Sequence, residues 1–173
     1  MSRARDQDFT AFVADRGTAL LRVAYALTGD RHAAEDLTQT ALAKAYARWD
    51  RIRGDAEPYV RRILYHEQVS RWRWRSRRPE VPVATPPDRR APGADDHDTT
   101  VRLMLRDALR MLPPRQRAVL VLRYLEDLSV EQTAAVLGCQ AGTVASQTNR
   151  ALAKLRTLVP AFDDISTGSA APR

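Results

Sequence analysis

The chain has one cysteine, three histidines and no apolar run of eighteen residues. Each shortage removes a class of function. A single thiol, Cys139, closes no internal disulfide and builds no metal site alone. His32, His66 and His97 are scattered without ligand spacing such as HxxxH, so no metal, no other cofactor and no catalytic residue is expected. With no long apolar stretch there is no membrane insertion to expect. The opening residues MSRARDQDF lack signal-peptide character, which makes a cytoplasmic protein the expectation.

What the chain does have is positive charge, unevenly placed. The net charge of +7 resolves into a neutral stretch over 1–50, +6 over 51–78, −3 over 79–98, +5 over 99–160 and −1 over 161–173. Two basic blocks separated by an acidic one are the footprint of a protein that meets a polyanion at two places. Either block alone reads equally well as a solvated helix face.

A length of 173 residues suits one ordinary domain or two small ones. Residues 79–98, PEVPVATPPDRRAPGADDHD, hold five prolines and no periodic apolar pattern, so they read as a flexible linker. The expected architecture is all-α: an N-terminal helical bundle over 1–78, a C-terminal helix-turn-helix domain over 99–160, and a disordered tail over 161–173.

In the N-terminal unit, Phe9, Phe12, Val13, Leu20, Ala24 and Leu27 recur at helical spacing up to Gly29, a C-cap residue. Asp30 caps a second helix with the apolar set Ala33, Ala34, Leu37, Ala41, Leu42, Ala45 and Trp49. Its opposite face carries Glu35, Asp36, Gln39, Thr40 and Lys44. A third helix starts at Pro58 and runs through RWRWRSRR, residues 71–78. At 100° per residue, Val60, Ile63, Leu64, Glu67 and Trp74 share one side. Arg62, His66, Val69 and Arg73 share the other. That pattern predicts Trp74 in the core and Trp72 as a half-exposed platform among arginines. A strand would need a partner, and none is signalled nearby. A membrane-surface helix would need the apolar face that closes the three-helix core.

In the C-terminal unit, Val101, Met104, Leu105, Ala108, Leu109 and Leu112 precede a break at Pro113–Pro114. Ala118, Val119, Val121, Leu122 and Leu125 follow. Ser129-Val-Glu-Gln132 is a capping box opening a short helix that ends at Gly138, and a longer helix follows through GTVASQTNRALAKL. A short helix, a Gly-containing turn and a longer helix make a helix-turn-helix. Val130, Ala134, Leu137, Val144, Ala151, Leu152 and Leu155 are its expected buried set. Gln140, Thr143, Ser146, Gln147, Asn149, Arg150 and Lys154 remain as amide, hydroxyl and cationic groups able to donate to phosphates and read base edges. The motif can also serve packing alone. Cys139, in the turn, reads as structural filling.

AEDLTQTALAKAY (34–46), PYVRRILYHEQVSRWRWRSRR (58–78), the Pro-rich linker and LRMLPPRQRAVLVLRYLEDLSVEQTAAVLGCQAGTVASQTNRALAKLR (109–156) together resemble an extracytoplasmic-function sigma factor. The match is nearest the actinobacterial branch often called the SigE family, over about residues 7–158. The resemblance implies a non-catalytic promoter-specificity subunit of RNA polymerase. The helix over Asp36–Tyr46 would dock on the coiled coil of the polymerase β′ subunit through Asp36, Leu37, Gln39, Leu42 and Lys44. The loop Arg51–Glu57 and the next helix would capture and melt the −10 element, with Arg51, Arg53, Arg62, His66, Trp72 and Arg73 on DNA. The C-terminal recognition helix would read the −35 element through the seven residues named above. Core polymerase, including its β flap, and promoter DNA are the implied partners, and an anti-sigma factor is the regulator expected of the family. The chain departs from the family pattern at Thr40, where an acid is usual, at His66, where Asn is usual, and at Ala145 and Gln147, which replace two basic residues.

Two other functions fit parts of the pattern. A stand-alone helix-turn-helix regulator would bind a symmetric duplex site, but no strong dimerisation heptad is visible. A nucleic-acid enzyme would need paired carboxylates. Glu35 and Asp36 project about 100° apart on a helix, a poor arrangement for a shared metal.

Overall fold

The computed structural model describes residues 2–77 and 97–159, and the tail assignment and all but the last two residues of the linker assignment lie outside them. The helices are α1 (Ser2–Thr28), α2 (Arg31–Tyr46), α3 (Glu57–Ser76), α4 (His97–Arg110), α5 (Pro114–Leu120), α6 (Val130–Leu137) and α7 (Ala141–Leu158). A 3-10 turn spans Trp49–Arg51, and a π-helical turn over Val121–Leu125 extends α5. No strand occurs among the described residues. The chain divides into two compact units, α1–α3 in the first and α4–α7 in the second. The expected all-α, two-domain fold is what the chain forms. Helix α4 begins at His97, two residues inside the stretch read as linker, and helix ends commonly shift by that much.

In the first unit, Gly29 (φ 71°) turns the chain out of α1, and the Asp30 carboxylate accepts from the Ala33 amide at 2.8 Å to start α2. The buried stripe of α2 is Ala34, Leu37, Ala41 and Ala45, small enough for α1 and α3 to approach closely. Leu20, Val23, Ala24 and Leu27 face it from α1, and Val60, Leu64, Tyr65 and Val69 from α3. At the far end of α1, Phe9 meets Tyr46 and Trp49 at ring separations of 4.9 and 5.0 Å. The Trp49 indole donates to the Asp8 carboxylate at 2.8 Å. Glu57 sits in the first turn of α3, where the helix dipole favours an acid, and pairs with Arg16 of α1 and with Arg61.

The α3 faces need two corrections. Trp74, expected in the core, is 56% exposed, and Val69, expected on the outer face, is buried. Helix α3 packs against both α1 and α2, so its buried strip is centred between the Val60–Leu64 line and the Tyr65–Val69 line.

In the second unit, Ala108, Leu112, Leu120, Ala151, Leu155 and Val159 form the core cluster. Pro113 ends the chain's path along α4, whose terminal carbonyls are capped by Arg117: its guanidinium donates to Leu109 O (2.8 Å), Arg110 O (2.7 Å) and Leu112 O (3.2 Å). The capping box forms as expected, with Gln132 N to Ser129 Oγ at 3.1 Å and Ser129 N to Gln132 Oε1 at 2.8 Å. Gly138 (φ 63°) closes α6. Two apolar assignments fail here as well. Met104 is on an open side of α4, and Leu125 is turned outward by the π-helical turn, whose wider winding breaks the 100° register.

Candidate functional site

Two surfaces carry the chemistry, one in each unit. In the first, Asp36, Thr40 and Lys44 follow one another at i, i+4, i+8 along α2, and α3 answers them with Arg71 and Glu67 in the opposite order. The Arg71 guanidinium donates to Thr40 Oγ1 at 2.9 Å and lies 3.4 Å from the Asp36 carboxylate, while Lys44 pairs with Glu67. Asp36 and Lys44 remain well exposed beside these contacts, as does Gln39, and Leu42 is half-buried. Leu37 is fully buried. It belongs to the core, and its assignment as a surface contact is corrected.

Beyond Lys44, α2 and α3 diverge around a cavity of about 490 Å³. It is lined by Ala47, Tyr59 and Ile63 together with Lys44, Arg48, Arg62, His66 and Glu67, the last paired with Lys44. A mainly apolar hollow with the guanidinium groups of Arg48 and Arg62 in its lining suits an unstacked base whose flanking phosphates need neutralising. Arg51 ends the 3-10 turn and Arg53 lies on the loop between it and α3, both exposed, and in that loop Gly54 takes φ 76°. Arg73 is exposed and Trp72 half-buried on the last turns of α3. A second cavity, of about 420 Å³, is edged by Asp8, Asp15 and Asp55, a charge unsuited to phosphate.

In the second unit, Val144, Ala151 and Leu155 bury one side of α7 and leave Gln140, Ser146, Asn149, Arg150 and Lys154 exposed on the other. Thr143 and Gln147 are half-buried at its margin. Ser146 Oγ donates to Thr143 O at 3.0 Å, so its remaining capacity toward an outside group is as an acceptor. Gly142 is exposed, and a Cβ added there would touch nothing within 4 Å. The first turn of α7 thus offers a low, smooth approach to a groove.

Sigma-70 region 2 matches residues 12–78, and sigma-70 region 4 matches residues 102–155. The chain is 42% identical to the RNA polymerase sigma-E factor of Streptomyces antibioticus over 90% of its own length and 87% of that protein's. The chain belongs to the extracytoplasmic-function sigma factors. The sigma-E factor of Streptomyces coelicolor is equally similar, 42% identical over 90% of this chain and 88% of its own. Among solved structures, the sigma factor RpoE of Bartonella quintana, in complex with the anti-sigma factor NepR, superposes with a TM-score of 0.60 at 29% identity. It covers 89% of this chain and 98% of that one.

A sigma factor is a promoter-specificity subunit: it binds core RNA polymerase and promoter DNA and directs initiation, and its family is a non-enzymatic one. Because both regions match in order, the stand-alone regulator loses its basis. Among the described residues no helix is long and apolar enough to cross a membrane, and no group of side chains could hold a metal ion.

The sigma factor's structure also accounts for one departure from the family pattern. Thr40, in place of an acid, accepts from Arg71 and donates to Asp36 O at 2.8 Å, so a neutral group keeps the α2–α3 contact. Sequence reasoning missed Arg71 and Glu67 as organisers of this face. The signal was present in two i, i+4 series of opposite charge, Asp36–Thr40–Lys44 and Glu67–Arg71, which only adjacent helices can match.

Proposed function

We propose that the two units of this sigma factor divide promoter recognition between them, with the first unit, 1–78, also carrying polymerase. Asp36, Gln39, Leu42 and Lys44 present the polymerase-docking face toward the β′ coiled coil. Arg51, Arg53, Arg62, His66, Trp72 and Arg73 hold and open the −10 element, and the cavity between α2 and α3 receives an unstacked base. In the second unit, 99–160, the β flap is the polymerase contact, and α7 reads the −35 element with Gln140, Thr143, Ser146, Gln147 and Asn149 near base edges and Arg150 and Lys154 on phosphates. Residues 79–96 connect the two units along the chain. The protein itself catalyses nothing, acts in the cytoplasm, and is a fitting target for an anti-sigma factor.

The observation that carries this reading is the mainly apolar cavity with Arg48, Arg62 and His66 in its lining, which shares Lys44 with the Asp36–Lys44 face. One helix pair can then hold polymerase and an opened strand together. The absence of basic groups at Ala145 and Gln147 shifts phosphate anchoring to Arg150 and Lys154.

Reconstitution with sigma-free bacterial core polymerase tests it. The purified protein is expected to form a stable complex and to yield run-off transcripts from a library of promoter fragments. Replacing Asp36 and Gln39 by alanine should abolish the complex, while Arg150→Glu with Lys154→Glu should abolish transcription and spare the complex. Tight binding to duplex DNA without polymerase, and no complex with core, would overturn the assignment.

A further inference from the structure

We propose that the start of α1, residues 5–12, is a positioning brace: through Tyr46 and Trp49 it sets the path of the 51–57 loop, and so the aim of Arg51 and Arg53 on the opened strand. This rests on the reading of that loop as a −10 contact. The sigma-70 region 2 match begins at residue 12, so Arg5, Asp6, Asp8 and Phe9 precede it. The loop they would steer does not hold itself. Arg53 and Gly54 make no hydrogen bond among the described residues, and the Asp55 carboxylate accepts only from the Glu57 amide, at 3.0 Å. A span with so few contacts takes its course from its ends.

Helix α1 holds both ends. At the far end Arg16 pairs with Glu57 at 3.0 Å. At the near end the Trp49 indole donates to Asp8, with Phe9 edge-on to its ring and Phe12 tilted against it at 5.1 Å. The Arg5 guanidinium lies 4.4 Å over the Tyr46 ring, donates to its hydroxyl at 2.9 Å and reaches the Asp50 carboxylate at 3.3 Å; the same hydroxyl donates to Asp6. Trp49, Asp50 and Arg51 form one 3-10 turn, and Ile52 N bonds to Trp49 O at 3.1 Å, so a shift of the indole carries Arg51 with it. Against the loop lies the 420 Å³ cavity lined by Asp8, Phe12, Trp49, Ile52 and Gly54, which leaves room for the span to sag once released. The brace adds little to the fold. The buried residues of α1 begin at Leu20, about three turns past Asp8, and an exposed pair such as Arg5–Asp50 contributes little stability.

The test uses full-length protein, free and bound to core polymerase, and a fluorescent single strand carrying the −10 element of a promoter recovered by the run-off assay. Asp8→Asn and Asp8→Leu remove the same negative charge, but only asparagine can still accept from the indole. Asp8→Leu is expected to weaken strand binding about two- to tenfold, the order of one lost hydrogen bond, while Asp8→Asn binds as wild type or tighter. Charge alone would tighten both. Tyr46→Phe removes no charge, yet it should cost a similar factor and lower the log–log salt slope by about 0.7, one phosphate contact. In an Arg51→Ala, Arg53→Ala background neither Asp8→Leu nor Tyr46→Phe should cost anything further, and affinity for core should stay unchanged throughout. Losses that persist undiminished in that background, equal binding by the two Asp8 variants, or wild-type binding by both Asp8→Leu and Tyr46→Phe would overturn the proposal. Wild-type binding by the Arg51→Ala, Arg53→Ala protein would instead overturn the loop's assignment to DNA. The brace itself is read apart from DNA, by hydrogen exchange at the Arg51 and Ile52 amides of the free protein. Exchange there should quicken in Asp8→Leu and not in Asp8→Asn, and unchanged rates in both would sink the brace.

Discussion

Arg117 and Thr133 are both buried polar residues of the second unit, and their partners give them opposite energetics. Arg117 fills the end of α4 with three bonds to carbonyls; its burial, and then repulsion from Arg110, lowers its proton affinity below the ordinary guanidinium value. Arg117→Met removes those bonds and leaves the carbonyls buried, so it should cost about 2–4 kcal/mol in urea unfolding followed in the second unit. The Thr133 hydroxyl, fully buried on α6, has no hydrogen-bond partner among the described residues. Thr133→Val keeps the shape and drops the stranded hydroxyl, and the same measurement should show a gain of about 1 kcal/mol. Neither role was legible in the sequence. Arg117 sits between Pro113–Pro114 and an apolar run with the look of a surface charge, and only the folded position of the α4 end shows what it caps.

At the scale of elements, local signals with a fixed spacing were readable. The Ser129–Gln132 box, the Asp30 cap and the glycines at 29 and 138 all stand where the sequence put them. Faces were less readable, because periodicity locates a stripe but not its centre. The α3 stripe is shared by two neighbours, which buried Val69 and released Trp74, and the π-helical turn displaced Leu125. Element chemistry also yields predictions. Glycine in a helix costs entropy, and a Cβ at position 142 meets nothing, so Gly142→Ala should stabilise the second unit by about 0.5–1 kcal/mol in denaturant melts. If the first turn of α7 approaches DNA as closely as proposed, the same methyl should weaken −35 binding while the protein becomes more stable. At the start of α6, the Glu131 carboxyl is held below its ordinary range by its own backbone amide and the Ser129 hydroxyl. Its folded value lies under its unfolded one, so its small contribution is present above the ordinary carboxylate range and disappears as pH falls through the depressed value. Amide exchange in α6 followed downward from pH 6 should show protection declining there, after correction for intrinsic rates.

At the scale of the whole molecule, each unit owns a core, so substitutions in one should not alter the other. His66→Ala and Arg150→Ala are expected to add in free energy of promoter binding within about 0.5 kcal/mol, as distant independent sites do. A double-mutant cycle on the polymerase complex measures this. Within the first unit the opposite is expected, because Arg71 grows from the helix proposed to face DNA yet grips Asp36 and Thr40 on the one proposed to face polymerase. A partner that draws Asp36 away must release that guanidinium toward the strand, and a phosphate that draws Arg71 away must unclasp Asp36. Thermodynamic reciprocity then fixes one coupling factor for both directions: however much polymerase tightens the grip on DNA through this contact, DNA tightens the grip on polymerase equally.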